Sequence, residues 1–321
     1  MKSIIVTGCY GFLGSHFTKL CLDNGFHVYG IDSLTYAADT MRLHEFFIDE
    51  MDNRFTSIQE DISKIEYLPD ADYLINFAAE THVDNSIYNH NDFVKTNVQG
   101  VKHLLDLCLP KKQYKPPLFV QISTDEVYGD NLTNNPFTEE QILNPSNPYS
   151  ASKAAADLLV LSYARTYDLD YLIFRPTNNY GTGQHPEKFI PKCIQLLMRD
   201  EKIQIHGDGS FQRCWLNVHD TCDAIFEVLD SNLKNEIYNI SGDEFASVKS
   251  VARLIVSKFH KNYDLQAQEL YMEFGFQRKG ADVNYKIDDT KLRTALDWEP
   301  KIKLLESIDG IIKYTKGNFR W

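Results

Sequence analysis

The sequence lacks the features of a membrane-spanning or a secreted protein. No apolar run among its 321 residues approaches the roughly 20 residues that span a bilayer. The first residues enter a strand-like run, SIIVT at residues 3–7, without the basic and apolar segments of a signal peptide. We therefore expect a cytoplasmic protein with no membrane partner.

Cysteine is sparse and scattered. Disulfide frameworks and structural zinc sites use paired, regularly spaced cysteines, and this sequence has no CxxC pair. The six cysteines are Cys9, Cys21, Cys108, Cys193, Cys214 and Cys222. The pattern predicts reduced thiols, as in a cytoplasm, and no bound metal.

Basic residues are also in deficit. Lysine and arginine together number 33 against 45 acidic residues, which gives a formal net charge of −12. Binding to a nucleic acid requires a positive field that displaces phosphate counterions, so we expect no nucleic-acid partner. A small anionic ligand remains compatible with this charge, because a few cationic side chains in one cleft are enough to bind it.

What the sequence does contain is an alternation of short apolar runs with helical segments. The runs predict buried strands at residues 3–7, 27–32, 54–58, 73–77, 118–123 and 171–175. Helical periodicity lies between them, for example at residues 12–24, 92–108 and 148–167. This alternation predicts an α/β fold, a doubly wound parallel sheet of the Rossmann type with right-handed crossovers.

A glycine-rich turn follows the first predicted strand. The run TGCYGFLG at residues 7–14 places glycines where a backbone turns tightly and approaches a pyrophosphate at the start of a helix. Asp32 ends the second predicted strand, where a carboxylate accepts hydrogen bonds from an adenosine ribose. No arginine or lysine adjoins Asp32 in the run DSLTY, so a 2′-phosphate is disfavoured. The pattern predicts NAD as the cofactor.

The chain changes character near residue 178, with longer loops, more proline and glycine, and short predicted strands at residues 202–206 and 236–240. We expect residues 1–177 to form the NAD-binding Rossmann domain. Residues 178–321 are expected to form mainly a smaller C-terminal substrate-binding lobe, with returns to the sheet domain near residues 214–242. Ligands of open α/β sheets bind at the carboxyl ends of the strands, the edge that such a lobe would cover.

A tyrosine and a lysine lie four residues apart in YSASK, residues 149–153. On a helix, this spacing places Tyr149 and Lys153 on one face. A phenol is a poor base at neutral pH, and lowering its pKa by roughly three units requires about 4 kcal/mol of differential stabilisation. A desolvated ammonium and a positively charged nicotinamide ring can supply it. The pair therefore predicts a redox base.

With these motifs in order, the chain resembles the extended short-chain dehydrogenase/reductases over nearly its full length. The run STDEVYG at residues 123–129 is similar to that of the sugar-nucleotide 4,6-dehydratases of this family, whereas the epimerases carry small or neutral residues in place of Asp125 and Glu126. Further matches are FAAETHVDNS at residues 77–86, NNYG at 178–181 and RKGAD at 278–282.

The resemblance implies a reaction and a role for each residue. An NDP-hexose becomes the NDP-4-keto-6-deoxy sugar by oxidation at C4, loss of water across C5 and C6, and return of the hydride to C6. Tyr149 is implied as the base for the C4 hydroxyl, with Lys153 lowering its pKa and holding the nicotinamide ribose. Glu126 is implied as the C5 base, Asp125 as the acid for the C6 hydroxyl, and Thr124 as a hydrogen-bond donor to the C4 oxygen.

The resemblance also implies which residues hold the two ligands. For NAD they are Gly8, Gly11, Phe12, Leu13, Gly14, Asp32, Ser33, Leu34, Thr35, Asp61, Ile62, Phe77, Ala78, Ala79, Thr81, Thr96, Tyr149, Lys153 and Asn179. For the nucleotide sugar they are Thr81, Thr124, Asn178, Lys188, His206, Arg213 and Arg278. The family further implies a homodimer through the predicted helices at residues 92–108 and 148–167.

Two departures from the family leave the nucleotide open. His206 stands where the family often has an aromatic residue that stacks on the base, and Ala281 stands where it usually has a histidine. The substrate can be dTDP-glucose or a glucose or N-acetylglucosamine linked to UDP or another nucleotide. The alternatives are an NDP-sugar 4-epimerase, a UDP-glucuronate decarboxylase, and a non-catalytic dinucleotide-binding protein, which the retained Tyr149 and Lys153 disfavour.

Overall fold

The computed structural model describes residues 1–44, 53–110, 115–133, 135–261, 264–276 and 284–318. The strands are β1 (Ser3–Thr7), β2 (His27–Asp32), β3 (Phe55–Gln59), β4 (Tyr73–Asn76), β5 (Leu118–Ile122), β6 (Tyr171–Pro176), β7 (Asn178–Tyr180), β8 (Ile203–His206), β9 (Gln212–Asn217), β10 (Glu236–Ile240), β11 (Glu244–Ser247) and β12 (Met272–Phe276). The α-helices are α1 (Phe12–Asp23), α2 (Met41–His44), α3 (Val83–Tyr88), α4 (His90–Phe93), α5 (Val101–Leu107), α6 (Pro148–Tyr167), α7 (Phe189–Met198), α8 (Val218–Asp230), α9 (Val248–His260), α10 (Leu265–Glu269), α11 (Thr290–Leu296) and α12 (Leu304–Gly317).

Seven strands form one sheet in the order β10-β6-β5-β4-β1-β2-β3. Every neighbouring pair in this sheet is parallel, which confirms the predicted doubly wound α/β fold. The chain moves from β1 outward to β3, then returns to the other side of β1 with β4. Ligands of such sheets bind at this point of reversal, beyond the carboxyl ends of the strands.

The central strands of the sheet are buried on both faces, as those of parallel sheets are, whereas the edge strand β3 is partly exposed. Successive residues of β1 point to opposite sides, so Val6 joins a core with Phe17 of α1 and Ile225 of α8. Its neighbour Ile5 joins a second core with Val160 of α6. This burial of continuous apolar runs explains why the strands were recognisable from the sequence.

The later part of the chain adds a lobe with its own core. Strands β11, β9 and β7 form a three-stranded sheet, and β12 pairs with β8. The core of this lobe includes Tyr180, Ile194, Ile255 and Ile308. Within residues 214–242, α8 packs on the main sheet and β10 pairs with β6, whereas β9 belongs to the lobe.

The helix predicted at residues 92–108 differs from expectation. The structure has α4, then a π-helix at Val94–Gly100, then α5. The wider turns contain Asn97, which is buried and exchanges hydrogen bonds with the backbone of Glu80 at 2.9 and 3.0 Å. Asn97 also donates to the hydroxyl of Ser152 on α6 at 2.8 Å. Seven residues are too few for hydrophobic periodicity to separate a π-helix from an α-helix.

No helix within the described ranges has the length and apolar character to cross a membrane. No group of three or more histidine, cysteine, aspartate or glutamate side chains in those ranges is arranged to hold a metal ion.

Candidate active site

The glycine turn between β1 and α1 is shaped by contacts that exclude side chains. Gly8 has a φ of +67°, and a Cβ there would lie 2.9 Å from the backbone nitrogen of Ala78. A Cβ on Gly14 would lie 2.0 Å from the carbonyl oxygen of Gly8. The turn is closed by a hydrogen bond from the Gly11 amide to the same oxygen, at 2.9 Å. The backbone is therefore exposed at the start of α1, as an anion-binding cradle requires.

Asp32 is fixed at the carboxyl end of β2. Its carboxylate accepts hydrogen bonds from the backbone amides of Tyr10 at 3.0 Å and Leu34 at 2.8 Å. Burial raises the pKa of Asp32, while these amides and the charge of Arg42 lower it. Each carboxylate oxygen retains a further lone pair, so Asp32 can also accept the hydroxyls of a ribose.

Arg42 is a structural residue that the sequence-based reasoning missed. Its side chain is buried and donates to the carbonyl oxygens of Tyr10 at 2.6 Å, Ala37 at 3.0 Å and Gly183 at 2.8 Å. Arg42 thereby ties the glycine turn to the lobe. Its partner Gly183 is 141 residues away in the sequence, so no local sequence pattern indicates this role.

Helix α6, which carries Tyr149 and Lys153, has a well-defined start. The side chain of Asn147 accepts the Ser150 amide at 2.9 Å, and the Ser150 hydroxyl accepts the Asn147 amide at 3.2 Å. This capping box, followed by Pro148, fixes the first turn. Tyr149 and Lys153 then occupy successive turns, and both are buried.

The two side chains have strongly altered proton affinities. Burial raises the pKa of Tyr149, and the charges of Glu126 and Asp125 raise it further, whereas a hydrogen bond with Thr124 lowers it. Burial lowers the pKa of Lys153 to about 8. The Lys153 ammonium donates to the carbonyl oxygen at the end of β5 at 2.6 Å. An ionised Tyr149 therefore needs the neighbouring positive charge to be retained.

Asp125 and Glu126 lie side by side in a 3₁₀-helix, Asp125–Tyr128, directly after β5. The hydroxyl of Thr124 accepts the Glu126 amide at 3.3 Å and donates to Asp125 Oδ1 at 3.2 Å. Burial, followed by the charge of Glu126, raises the pKa of Asp125 to about 7. Glu126 is only half-buried and accepts the Asn147 side chain at 3.4 Å. Two adjacent carboxyls thus have different environments, as an acid and a base require.

One cleft brings most of the predicted residues together. Those that line it are Gly8, Gly11, Phe12, Leu13, Gly14, Phe77, Ala79, Thr81, Thr124, Asp125, Glu126, Tyr149, Lys153, Asn178, Asn179 and Lys188. The lining residues that the sequence did not identify include Thr177, Gln184, His185 and Glu187. Thr177 follows β6 of the main sheet, and the other three lie in the loop between β7 and α7.

Polar groups of the lobe face this cleft. The Lys188 ammonium donates to the carbonyl and the hydroxyl oxygens of Thr81 at 2.9 and 3.2 Å, so two predicted substrate residues meet across it. Asn178 Oδ1 and, after β5 of the main sheet, Asp125 Oδ2 are both buried. Neither atom makes a hydrogen bond within the described residues. Asn179 is held by the hydroxyl of Thr221, which donates to its side-chain oxygen. Two buried polar atoms are thus available to a polar ligand.

Other predicted residues lie outside the lining of the cleft. They are Asp32, Ser33, Leu34, Thr35, Asp61, Ile62, Ala78, Thr96, His206 and Arg213. Asp61 forms an ion pair with Lys95 at 2.9 Å. Lys95 directly precedes Thr96 on the π-helix. Arg213 of β9 stacks on Tyr285 at 4.6 Å, and its charge lowers the pKa of Asp125.

His206 is the last residue of β8 and is half-buried. Arg278 and Ala281 lie outside the described residues.

Known proteins resemble this chain over its whole length. A protein of Haloferax volcanii described as "Low-salt glycan biosynthesis protein Agl12" is 42% identical, and the alignment covers 98% of this chain and 99% of that protein. The dTDP-glucose 4,6-dehydratase of Haemophilus influenzae is 36% identical, with 98% of each chain covered. The structure of DesIV, a dTDP-glucose 4,6-dehydratase of Streptomyces venezuelae, superposes with a TM-score of 0.91 at 32% identity, covering 100% of this chain and 98% of that one.

These relatives confirm the predicted resemblance to the sugar-nucleotide 4,6-dehydratases among the extended short-chain dehydrogenase/reductases. The sequence profile of the GDP-mannose 4,6 dehydratase family matches residues 5–311. The chain belongs to this family.

Proposed function

We propose that the chain is an NAD-dependent sugar-nucleotide 4,6-dehydratase, a hydro-lyase that converts an NDP-hexose to the NDP-4-keto-6-deoxy sugar. The observation that carries this proposal is the meeting of two pairs in one cleft. Tyr149 and Lys153 are the pair suited to oxidation at C4. Asp125 and Glu126 are the pair suited to elimination across C5 and C6. An epimerase has no use for the second pair.

NAD fits the residues at the carboxyl ends of β1 and β2. The glycine cradle leaves no room for a Cβ at Gly8 or Gly14, and the Asp32 carboxylate is held in place by two backbone amides. Tyr149 and Lys153 border the same cleft as the cradle. When bound, NAD supplies reversible oxidation and reduction of the sugar. Relatives solved with NAD support this choice.

Tyr149 and Lys153 of α6, together with Thr124, serve the first step, the oxidation at C4. The Lys153 ammonium and a bound nicotinamide ring would supply the positive charge that favours the Tyr149 phenolate against the upward pKa shift caused by burial. The Tyr149 oxygen then takes the proton of the C4 hydroxyl, while the Thr124 hydroxyl donates a hydrogen bond to the C4 oxygen. Bound NAD would supply the oxidation at C4 by accepting the C4 hydride, and the ketone so formed would acidify the neighbouring C5 proton.

The second step falls to the adjacent carboxyls. Glu126 is half-buried and lines the cleft, where it can reach a bound sugar. It takes the proton from C5. Asp125, whose pKa is raised to about 7, holds a proton near neutrality and gives it to the departing C6 hydroxyl. Water leaves with this proton, and bound NAD would supply the reduction at C6.

We further propose that residues 1–177, with returns near 214–242, hold the cofactor, and that the remaining part of residues 178–321 mainly holds the nucleotide sugar. Lys188 and Arg213 are the cations of this lobe that are suited to diphosphate oxygens. Asn178 supplies a polar contact from the cleft wall. The dehydratases that act on dTDP-glucose make this sugar nucleotide the first substrate to test.

The test is incubation of the purified protein with dTDP-glucose, UDP-glucose, UDP-N-acetylglucosamine and GDP-linked hexoses, each with and without added NAD. Mass spectrometry should show loss of one water from at least one donor, which also identifies the nucleotide. Formation of an isomer without water loss would indicate a 4-epimerase. Release of carbon dioxide from UDP-glucuronate would indicate the decarboxylase. Either result, without water loss from any donor, would refute the proposal.

We infer a homodimer formed through α6 and the helical segment at residues 92–108. Three apolar side chains of these segments are exposed in the single chain: Val94 at 45%, Leu158 at 57% and Tyr167 at 45%. Sedimentation analysis of the wild-type protein should give twice the chain mass, and Leu158→Glu should shift it toward the monomer. A monomeric wild-type protein would contradict the inference.

We also propose a cytoplasmic location. All six cysteines are buried, free thiols, which is the state that a reducing compartment maintains. Fractionation of cells that express the protein should recover it with the cytoplasmic fraction. Recovery with an external or membrane fraction would contradict this proposal.

A further inference from the structure

A fully buried ion pair lies one helical turn beyond Lys153. Asp157 of α6 accepts a hydrogen bond from Arg175 Nε of β6 at 3.0 Å, and the two side chains are 0% and 2% exposed. A buried ion pair contributes little net stability compared with apolar residues of similar volume, because both charges lose their hydration. The position of the pair next to the catalytic residues points to a role other than stability.

Asp157 supplies a negative charge that favours the protonated form of Lys153. The two residues are four positions apart on α6, so their side chains lie on the same face. Burial lowers the pKa of Lys153 to about 8, and Asp157 is the charge that opposes this shift. Loss of the Asp157 charge would therefore leave less of Lys153 as the ammonium, which is the form that favours an ionised Tyr149.

Arg175 has a second contact, which leads to the elimination pair. Its Nη1 donates to the hydroxyl of Tyr128 at 2.8 Å, and its guanidinium lies 4.9 Å from the centre of the Tyr128 ring. Tyr128 is the last residue of the 3₁₀-helix that carries Asp125 and Glu126. Its hydroxyl in turn donates to Asn239 at 2.8 Å. Arg175 thus connects the helix of the redox pair to the helix of the acid–base pair.

We propose that Asp157 and Arg175 are positioning residues for both half-reactions, an inference that rests on the dehydratase function proposed above. Asp157 is the counter-charge that keeps Lys153 an ammonium. Arg175 holds Asp157 in place and, through Tyr128, fixes the 3₁₀-helix that presents Asp125 and Glu126.

The direction of the pH effect follows from the charges around the redox pair. Asp157 raises the pKa of Lys153, whereas Glu126 and Asp125, on the 3₁₀-helix, act on Tyr149. Arg175 acts on the Asp157 carboxylate, whose pKa it lowers. Removal of the Asp157 charge should therefore lower the pKa of Lys153 further, and activity should be lost at a lower pH on the alkaline side.

The experiment replaces both members of the ion pair at once, with Asp157→Asn and Arg175→Gln. Replacing one alone would leave an unpaired buried charge and risk loss of the fold, so thermal unfolding is measured first. The rate of C4 oxidation is then followed from pH 6 to pH 10 by the absorbance of the reduced cofactor. With each profile normalised to its own rate at pH 6, we expect the double variant to be about tenfold lower than the wild type at pH 9, the effect of a one-unit fall in the pKa of Lys153. An alkaline limb at the wild-type position in the folded double variant would refute the counter-charge role.

A second pair of variants tests the connection through Tyr128. Tyr128→Phe removes the hydroxyl that Arg175 contacts without changing any charge, so it should leave the alkaline limb in place. It should slow the elimination relative to C4 oxidation, so that more reduced cofactor accumulates. Tyr163→Phe, which removes a hydroxyl bonded to Asp106, is the matched control on α6. Equal accumulation of reduced cofactor in the two variants would refute the connection.

A binding measurement separates this inference from the function itself. NAD affinity is measured by calorimetry against pH, without any sugar, because Lys153 is expected to hold the nicotinamide ribose. In the Asp157 and Arg175 double variant, affinity should decline at a lower pH than in the wild type, and coincident profiles would contradict the counter-charge role. If no sugar nucleotide is dehydrated by the wild type, the proposed function fails, while this titration still tests the charge relation.

Discussion

Replacing Asp125 by asparagine should change how the stability of the protein depends on pH. The pKa of the buried Asp125 carboxyl is about 7 in the folded protein, against about 3.9 in an unfolded chain. Between these values the folded state holds a proton that the unfolded state has lost. The contribution of Asp125 to the free energy of unfolding is therefore fully present below about pH 4 and is lost as the pH rises to about 7.

The size of the effect follows from the difference in pKa. At about 1.36 kcal/mol for each pH unit, the wild-type protein should lose about 2.5 kcal/mol of unfolding free energy through Asp125 between pH 5 and pH 8. The asparagine variant has no proton to release at this position. Its unfolding free energy, relative to that of the wild type, should rise by about 2.5 kcal/mol over the same range.

Urea unfolding of both proteins without cofactor, at pH 5, 6, 7 and 8, measures this difference. Asp23→Asn, the same substitution at a position that is 56% exposed on α1, is the matched control for a change of acid to amide. Parallel stability curves for the wild type and Asp125→Asn would show that Asp125 is ionised in the folded protein throughout. Its assignment as the acid of the elimination step would then be wrong.

Three further substitutions test the site. Glu126→Gln should block dehydration while C4 oxidation continues, so that reduced cofactor accumulates at 340 nm; an unchanged dehydration rate would remove Glu126 from the mechanism. Tyr149→Phe should abolish both steps, and substantial formation of reduced cofactor by this variant would contradict its role as the base. Gly14→Ala should weaken NAD binding measured by calorimetry at least tenfold, because its Cβ would lie 2.0 Å from the Gly8 oxygen. Gly310→Ala, whose Cβ meets nothing within 4 Å among the described atoms, should bind NAD as the wild type does.

The features that the sequence predicted are those set by neighbouring residues. The glycine turn lies between a strand and a helix, and Tyr149 and Lys153 share a helix face, so local spacing alone defines both. The parallel arrangement of the main sheet followed from the alternation of strands and helices, because parallel neighbours require a crossover, which is usually a helix.

The features that the sequence did not predict depend on contacts between distant residues. Asn97 meets Glu80 and Ser152 only because a π-helix turns it toward them. Arg175 appeared to be the last residue of an ordinary strand, and its bond to Asp157 exists only when β6 packs against α6. A single sequence does not show which strand will face which helix residue, so these buried polar contacts required the structure.

The two neighbouring carboxyls acquire different environments from the register of one short helix. Its last two residues, Val127 and Tyr128, are buried, and Gly129 ends it with a φ of +76°, where a Cβ would lie 2.0 Å from the Asn144 carbonyl oxygen. With this end fixed, Asp125 is carried into the protein and Glu126 remains half-buried at the cleft. Burial raises the pKa of the carboxyl in the first position. The same two side chains in a shifted register would exchange these environments, so in the proposed mechanism the packing of this helix, more than the identity of the two acids, selects the acid and the base.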